Sequence, residues 1–276
     1  MKIDAHQHFW KYTPERDTWI DDSMAKLQAD FLPSDLKGLL EANSIQGCIA
    51  VQADQSEEET KWLLNLATEN DFIKGVVGWV DLCADTVEER LLFFSKNPFF
   101  KGVRHIVQAE KSDFVLQEDF QNGIRKLTPL GLTYDLLVYP HQLEAATELV
   151  FQHPEQTFIL DHLAKPNIKA HEIESWKSQI ERISAAPNIS CKLSGMVTEA
   201  DLAHWKAKDF TPYLQTVFDY FGVERVLFGS DWPVCLLAAE YKKVLQLVQD
   251  FTANLSKEEQ TRIFGANACE IYNLTI

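Results

Sequence analysis

Short apolar runs alternate along this chain with longer stretches in which apolar residues recur at helical spacing. The runs occupy 3–8, 47–53, 73–81, 102–107, 133–139, 157–161, 188–194 and 225–230 and are rich in Val, Ile, Leu and Phe. Apolar on both faces and too short for helices, they read as strands of a parallel sheet covered on both sides. Between them, Ser56 and Glu59 form a capping box that opens a helix whose Trp62, Leu63, Leu66 and Ala67 share one stripe. Pro140 suits the first turn of a second helix, with Leu143, Ala146, Thr147 and Val150 on one face. Stretches 172–185, 213–221, 239–251 and 257–264 repeat the pattern. Eight strands alternating with helices over this length predict an α/β fold, a single (β/α)8 TIM barrel covering 1–276. An open doubly wound sheet is the alternative, but no GxGxxG follows any strand. One interval, 9–33, breaks the rhythm. It carries Phe9, Trp10, Tyr12 and Trp19 without helical periodicity, and reads either as a lid over the barrel mouth or as cover for its flank.

Composition narrows the function classes. With 41 acidic and 26 basic residues the formal net charge is −15, which argues against nucleic acid and against an anionic membrane surface as partners. The first residues turn polar at once, and no apolar run approaches the roughly 18 residues of a membrane span. The five cysteines are scattered without a CxxC pair and read as buried reduced thiols, so a cytoplasmic location is expected.

In such barrels chemistry sits at the C-terminal strand ends, so the polar residues delivered there matter most. The first strand ends in His6-Gln7-His8. Alternate strand residues share a face, so two imidazoles point the same way and suit a metal or a carbonyl, although an isolated HxH is also common decoration. The eighth ends in Ser230-Asp231-Trp232-Pro233, a carboxylate after an apolar run that packing explains poorly, with a turn-forming Asp as the bland alternative. The sixth delivers Asp161 and His162, where Asp161 could serve only to fix a histidine tautomer. The fourth gives Arg104 and His105 and the seventh Lys192; each cation needs an anion, either a structural carboxylate or a ligand. Gln52 and Asp54 follow the second strand and suit hydroxyl recognition. Arg104, His105, Lys165 and Lys192 together predict a locally basic mouth on an acidic body.

These stretches resemble the amidohydrolase superfamily, which pairs HxH on strand one with Asp on strand eight of a distorted TIM barrel. More closely, Asp161-His-Leu-Ala-Lys-Pro166 and Gly229-Ser-Asp-Trp-Pro-Val234 resemble its sugar-lactone hydrolase branch. The resemblance implies hydrolysis of an aldonolactone of the L-fuconolactone type. Asp231 would activate water, and His6, His8 and His162 would stabilise the oxyanion. Trp10, Gln52, Arg104, His105 and Lys192 would contact a small-molecule sugar lactone. His6, His8 and Asp231 form a candidate single metal site. Strand five ends at Tyr139 rather than in a ligand, so the expectation is no cofactor or one divalent cation, zinc being the candidate. A metal-dependent amide hydrolase or decarboxylase would reuse the same cluster, and a non-catalytic barrel is the remaining alternative. Neither the oligomeric state nor the particular sugar is legible in the sequence.

Overall fold

Each apolar run forms a strand in the computed structural model, which describes residues 1–275. The strands β1 (Ile3–Gln7), β2 (Gly47–Val51), β3 (Ile73–Gly78), β4 (Phe100–His105), β5 (Thr133–Leu136), β6 (Phe158–Leu160), β7 (Ile189–Leu193) and β8 (Val226–Phe228) pair in parallel in sequence order. Gln7 then bridges Trp232, the Asp231 N–H donates to the His6 carbonyl at 2.8 Å, and the His8 N–H to the Trp232 carbonyl at 2.7 Å. These bonds bring β8 back to β1 and close the predicted α/β barrel.

One helix follows each strand: α1 (Pro33–Ala42), α2 (Glu57–Glu69), α3 (Val87–Phe94), α4 (Glu118–Arg125), α5 (Leu143–Gln152), α6 (Glu174–Ser184), α7 (Ala207–Phe221) and α8 (Tyr241–Phe251). The sequence pattern had not singled out α1, α3 and α4. Helix α7 begins upstream of the expected stretch because Asp209 caps the Lys206 N–H at 2.8 Å. The stretch expected as one helix over 257–264 divides into α9 (Lys257–Thr261), a π turn and α10 (Asn267–Ile271). Its break falls at Gly265, where the Met1 carbonyl approaches so closely that a Cβ would lie 1.9 Å from it. Among the described residues no helix is long and apolar enough to cross a membrane.

Ile3, Ala5, Ile49, Val51, Val77, Ile159 and Leu227 fill the barrel, joined by Ala268, Tyr272 and Leu274 from the end of the chain. Lys101, early in β4, bonds the Asn273 carbonyl at 2.9 Å, so this segment plugs the N-terminal end of the barrel. Strand residues of the other parity, such as Cys48, Ala50, Tyr134 and Phe228, pack against the helices. The interval 9–33 packs against Ala53, which follows β2, and against Val234 and Leu237, which follow β8. Trp10 pairs with Phe31 as a bridge, packs with Ile20 and Leu27 in a small core of its own, and donates its indole N–H to the Ala29 carbonyl at 2.9 Å.

One irregularity decides where the chemistry points. Asp4 lies opposite Cys48 but Gln7 opposite Ala50, three steps against two, so β1 carries one extra residue. Strict alternation from the inward Ile3 and Ala5 would turn His6 and His8 toward the helices. The bulge reverses the parity and aims both imidazoles into the mouth. Asp4 turns outward, where it accepts from the Ser230 N–H at 2.9 Å and from the Tyr241 hydroxyl at 3.0 Å. Burial raises its pKa to about 6.

Candidate active site

Four side chains from three strand ends converge at the barrel mouth. The Nε2 atoms of His6 and His8 are 3.1 Å apart, and Asp231 Oδ1 lies 3.4 Å from His8 Nε2 and 3.9 Å from His6 Nε2. His162 Nε2 approaches the same carboxylate oxygen to 3.9 Å, with its ring centroid 4.3 Å from that of His6. All four residues are at least nine-tenths buried.

Backbone geometry sets this arrangement. Asp231 has φ +56°, which turns its side chain from the end of β8 toward β1. His162, Leu163, Ala164 and Lys165 all have φ between 51° and 55°, a left-handed turn built without glycine. Such a conformation costs roughly 1–2 kcal/mol per residue. Leu163 and Ala164 recover part of that by full burial, and Trp176 donates its indole N–H to the Leu163 carbonyl at 2.7 Å. Gly195, at φ +62°, leaves the room that the His162 ring occupies.

Tautomers follow from partners. The Nδ1 of His8 lies 2.8 Å from the Val51 carbonyl, which only accepts, so Nδ1 carries the proton. That leaves Nε2 as the ring atom that faces His6 and Asp231. His162 Nδ1 meets the Ser194 hydroxyl at 2.8 Å; when that hydroxyl donates, Nε2 of His162 is the N–H that faces the mouth. Burial lowers the His162 pKa to about 4, against the pull of Asp231 and Asp161, so the ring is neutral near pH 7. Burial likewise holds His6 well below the usual range. Burial alone would raise Asp231, but His162, the bond to His8 and His6 outweigh it and hold the carboxyl below the usual range, ionised.

Beneath the histidines lies a buried charge network. Lys192, fully buried, contacts Asp135 closely, stands 3.1 Å from Asp161 Oδ1 and 3.3 Å from His6 Nδ1. Arg104 Nη1 lies 3.1 Å from Asp161 Oδ2 and 3.4 Å from His6 Nε2. Two cations thus meet two carboxylates, and Tyr272 donates to Asp135 at 2.9 Å. The basic groups expected at the mouth are paired: Arg104 of β4 meets Asp161 after β6, Lys192 of β7 meets Asp135 of β5 as well as Asp161, and Lys165 faces Glu199 at 3.3 Å. Asp161 serves His6, not its neighbour His162, with its Oδ1 3.3 Å from His6 Nδ1.

The expected substrate contacts divide. Gln52 accepts from Arg104 at 2.9 Å, and its Nε2 is a buried donor with no partner among the described residues, open to a ligand. Arg104 reaches the histidine cluster, whereas Lys192 is walled off below it. His105 faces the helix layer, stacked on Phe114 at 4.9 Å and paired with Glu110 at 3.0 Å, because its neighbour Arg104 points inward. Trp10 lies in the small core that it forms with Ile20 and Leu27. Residues the sequence reading had not placed in the site include Ser194, Gly195 and Glu199.

The donor set fits one cation. The lone pair of His8, Nε2 of His6 and an oxygen of Asp231 face one another within hydrogen-bond to near-contact range, and such a convergence of acceptors calls for a proton or a metal ion between them. Arg104 Nη1 stands 3.4 Å from His6 Nε2 and Lys192 Nζ 3.3 Å from His6 Nδ1, so both nitrogens of that ring also have a cationic neighbour.

The chain is similar over its whole length to known proteins. The amidohydrolase family model matches residues 3–274. An L-fucono-1,5-lactonase of Burkholderia multivorans is 36% identical, covering 99% of this chain and 96% of its own length. An L-fucono-1,5-lactonase of Burkholderia ambifaria is 33% identical with the same coverage. A crystal structure of an amidohydrolase from Burkholderia multivorans with bound zinc superposes with a TM-score of 0.96 at 36% identity, covering both chains completely.

Proposed function

The chain belongs to the amidohydrolase family, and from that premise we propose that it opens a sugar-acid lactone of the L-fucono-1,5-lactone type to the free acid. The observation that carries this reading is Asp231, a buried ionised carboxylate within 3.4–3.9 Å of three imidazoles at the mouth of the barrel. Relatives that share the whole length of the chain and are lactonases favour this reading over amide hydrolysis or decarboxylation at the same cluster.

In the proposed reaction a water bound beside Asp231 gives it a proton and attacks the lactone carbonyl. The oxyanion that develops is met by the His162 Nε2–H, with Ser194 holding the ring in that tautomer, and by the field of Arg104. Gln52 Nε2 supplies a donor to a sugar hydroxyl or the carbonyl. A divalent ion held by His6, His8 and Asp231 would supply Lewis-acid polarisation of the carbonyl when bound. The five cysteines are unpaired, which supports action in a reducing, cytoplasmic setting.

The test is a pH-indicator assay over a panel of aldonolactones, including L-fucono-, L-rhamnono- and D-galactono-lactone, with and without chelator. Acid release from at least one, reduced about 10²–10⁴-fold in Asp231→Asn, is the expected result. Hydrolysis no faster than that of the Asp231→Asn protein, across the whole panel, would refute the reading.

A further inference from the structure

The buried carboxylates around the barrel mouth are of two kinds. Asp135 and Asp161 each stand against a cation. Asp4 is as deeply buried, yet among the described residues only neutral donors bond to it. A carboxylate taken out of water without a cation is costly, and packing alone gives no reason to keep one. The donors that hold it indicate what it does.

Two of the three donors belong to the segments that carry the site side chains. Oδ1 of Asp4 accepts from the His6 N–H at 3.2 Å and from the Ser230 N–H at 2.9 Å. Oδ2 accepts at 3.0 Å from the hydroxyl of Tyr241, the buried first residue of α8. The first bond runs from an aspartate oxygen to the N–H two residues on, a pattern that curves the backbone as a turn does. It lies inside the stretch where β1 carries its extra residue, between Asp4 and Gln7. The bulge that aims His6 and His8 into the mouth is therefore held by the Asp4 side chain. The second bond fixes Ser230, the residue before Asp231, and the Asp231 N–H is itself bonded to the His6 carbonyl at 2.8 Å. One oxygen thus ties the backbone beneath an imidazole to the backbone beneath the carboxylate. Tyr241 keeps that carboxylate from turning.

We propose that Asp4 is a positioning residue that sets Asp231 against His6 and His8, with Tyr241 as its brace. The assignment rests on the lactonase reading given above. Asp4 points outward from the barrel and acts only through two peptide groups. Asp231 Oδ1 lies 3.4 Å from His8 Nε2 and 3.9 Å from His6 Nε2. A displacement of about 1 Å in such a site costs on the order of 10² in rate.

Three variants and two readouts test this. Asp4→Leu keeps a side chain of similar size and removes both acceptors, so kcat on the best aldonolactone should fall about 10²-fold with KM changed only a few-fold. Asp4→Asn, which keeps one oxygen for the two N–H groups, should recover most of that loss. Tyr241→Phe removes the brace alone and should lower kcat several-fold. The second readout needs no lactone: the zinc concentration that raises the thermal midpoint of metal-stripped protein should be about 10-fold higher for Asp4→Leu than for wild type, the effect expected of a group that supports metal ligands. Full kcat in Asp4→Leu, or a loss in Asp4→Asn equal to that in Asp4→Leu, would overturn the assignment while leaving the lactonase reading standing. So would a raised KM at unchanged kcat, which marks a substrate contact. If the leucine protein does not fold, Tyr241→Phe decides, and wild-type kcat there refutes the proposal. A wild type inert toward every lactone would remove the reading beneath it; the zinc titration then decides on Asp4, and equal zinc requirements in wild type and Asp4→Leu would overturn its role.

Discussion

A methyl group placed on Gly195 would lie 2.5 Å from Nδ1 of His162, the atom that meets the Ser194 hydroxyl. Glycine at this position serves the active site directly, since φ of +62° and the ring against Cα both exclude a larger residue. Gly195→Ala should therefore displace His162 and lower kcat about 10²-fold, the size of effect that follows a misplacement of about 1 Å. Steady-state kinetics on the preferred lactone check this, and unchanged kcat would contradict the tight packing described.

The acceptor cluster of His6, His8 and Asp231 leads to a binding prediction independent of catalysis. Zinc titrated into metal-stripped protein should raise the thermal midpoint, since a ligand that favours the folded state stabilises it by mass action. His8→Ala should abolish the shift. Equal shifts in both proteins would place the ion elsewhere.

Lys192 is the cation between two buried carboxylates, and removing it leaves both without their main partner. Lys192→Met should destabilise the fold by about 3–5 kcal/mol in urea denaturation. Adding Asp135→Asn to that variant should recover part of the loss. A Lys192→Met protein as stable as wild type would show that the network is not what holds these strands together.

Glu59 offers a pH test. Burial raises its pKa to about 8, against its bonds from the Asp54 and Ala53 N–H groups and the charge of Arg16, while the charge of Asp54 adds to the rise. Between the ordinary value of 4.5 and about 8, the folded protein holds a proton that the unfolded chain has released. This group's contribution to stability is present at low pH and lost as pH rises through that window, at up to about 1.4 kcal/mol per unit. Glu59→Gln should flatten that part of the curve. An identical pH dependence of unfolding in the two proteins would show Glu59 to be ionised in the fold.

The strands were legible because burial on both faces leaves few polar residues to confuse the period. Helices α3 and α4 were not, being only eight residues each, and α4 contains Gly123. The capping box was half right. Ser56 does accept from Glu59 N–H at 3.2 Å, but the Glu59 carboxylate turns to the Ala53 and Asp54 N–H groups at 3.0 and 2.8 Å instead. The convergence of His6, His8, His162 and Asp231 was readable from strand-end polarity and from resemblance. Two signals in the sequence were overlooked: adjacent strand residues face opposite ways, so Arg104 and His105 could not both enter the mouth, and a lysine inside an apolar strand belongs with a buried acid. The bulge in β1 and the left-handed turn from His162 to Lys165 had no local signal. The first is a matter of register against β2, and the second uses residues that rarely adopt that conformation.

The bond from Ser230 to Asp4 joins residues 226 apart in sequence and lies immediately beside the reacting groups. The proposed activation of water therefore depends on a junction between β1 and β8. The HxH on β1 lacks its carboxylate partner until β8 has docked beside it. Turnover in this protein is thus a report on completion: any event that lets β8 slip from β1 should extinguish activity before it melts the helices, so lost catalysis would be an early sign of unfolding.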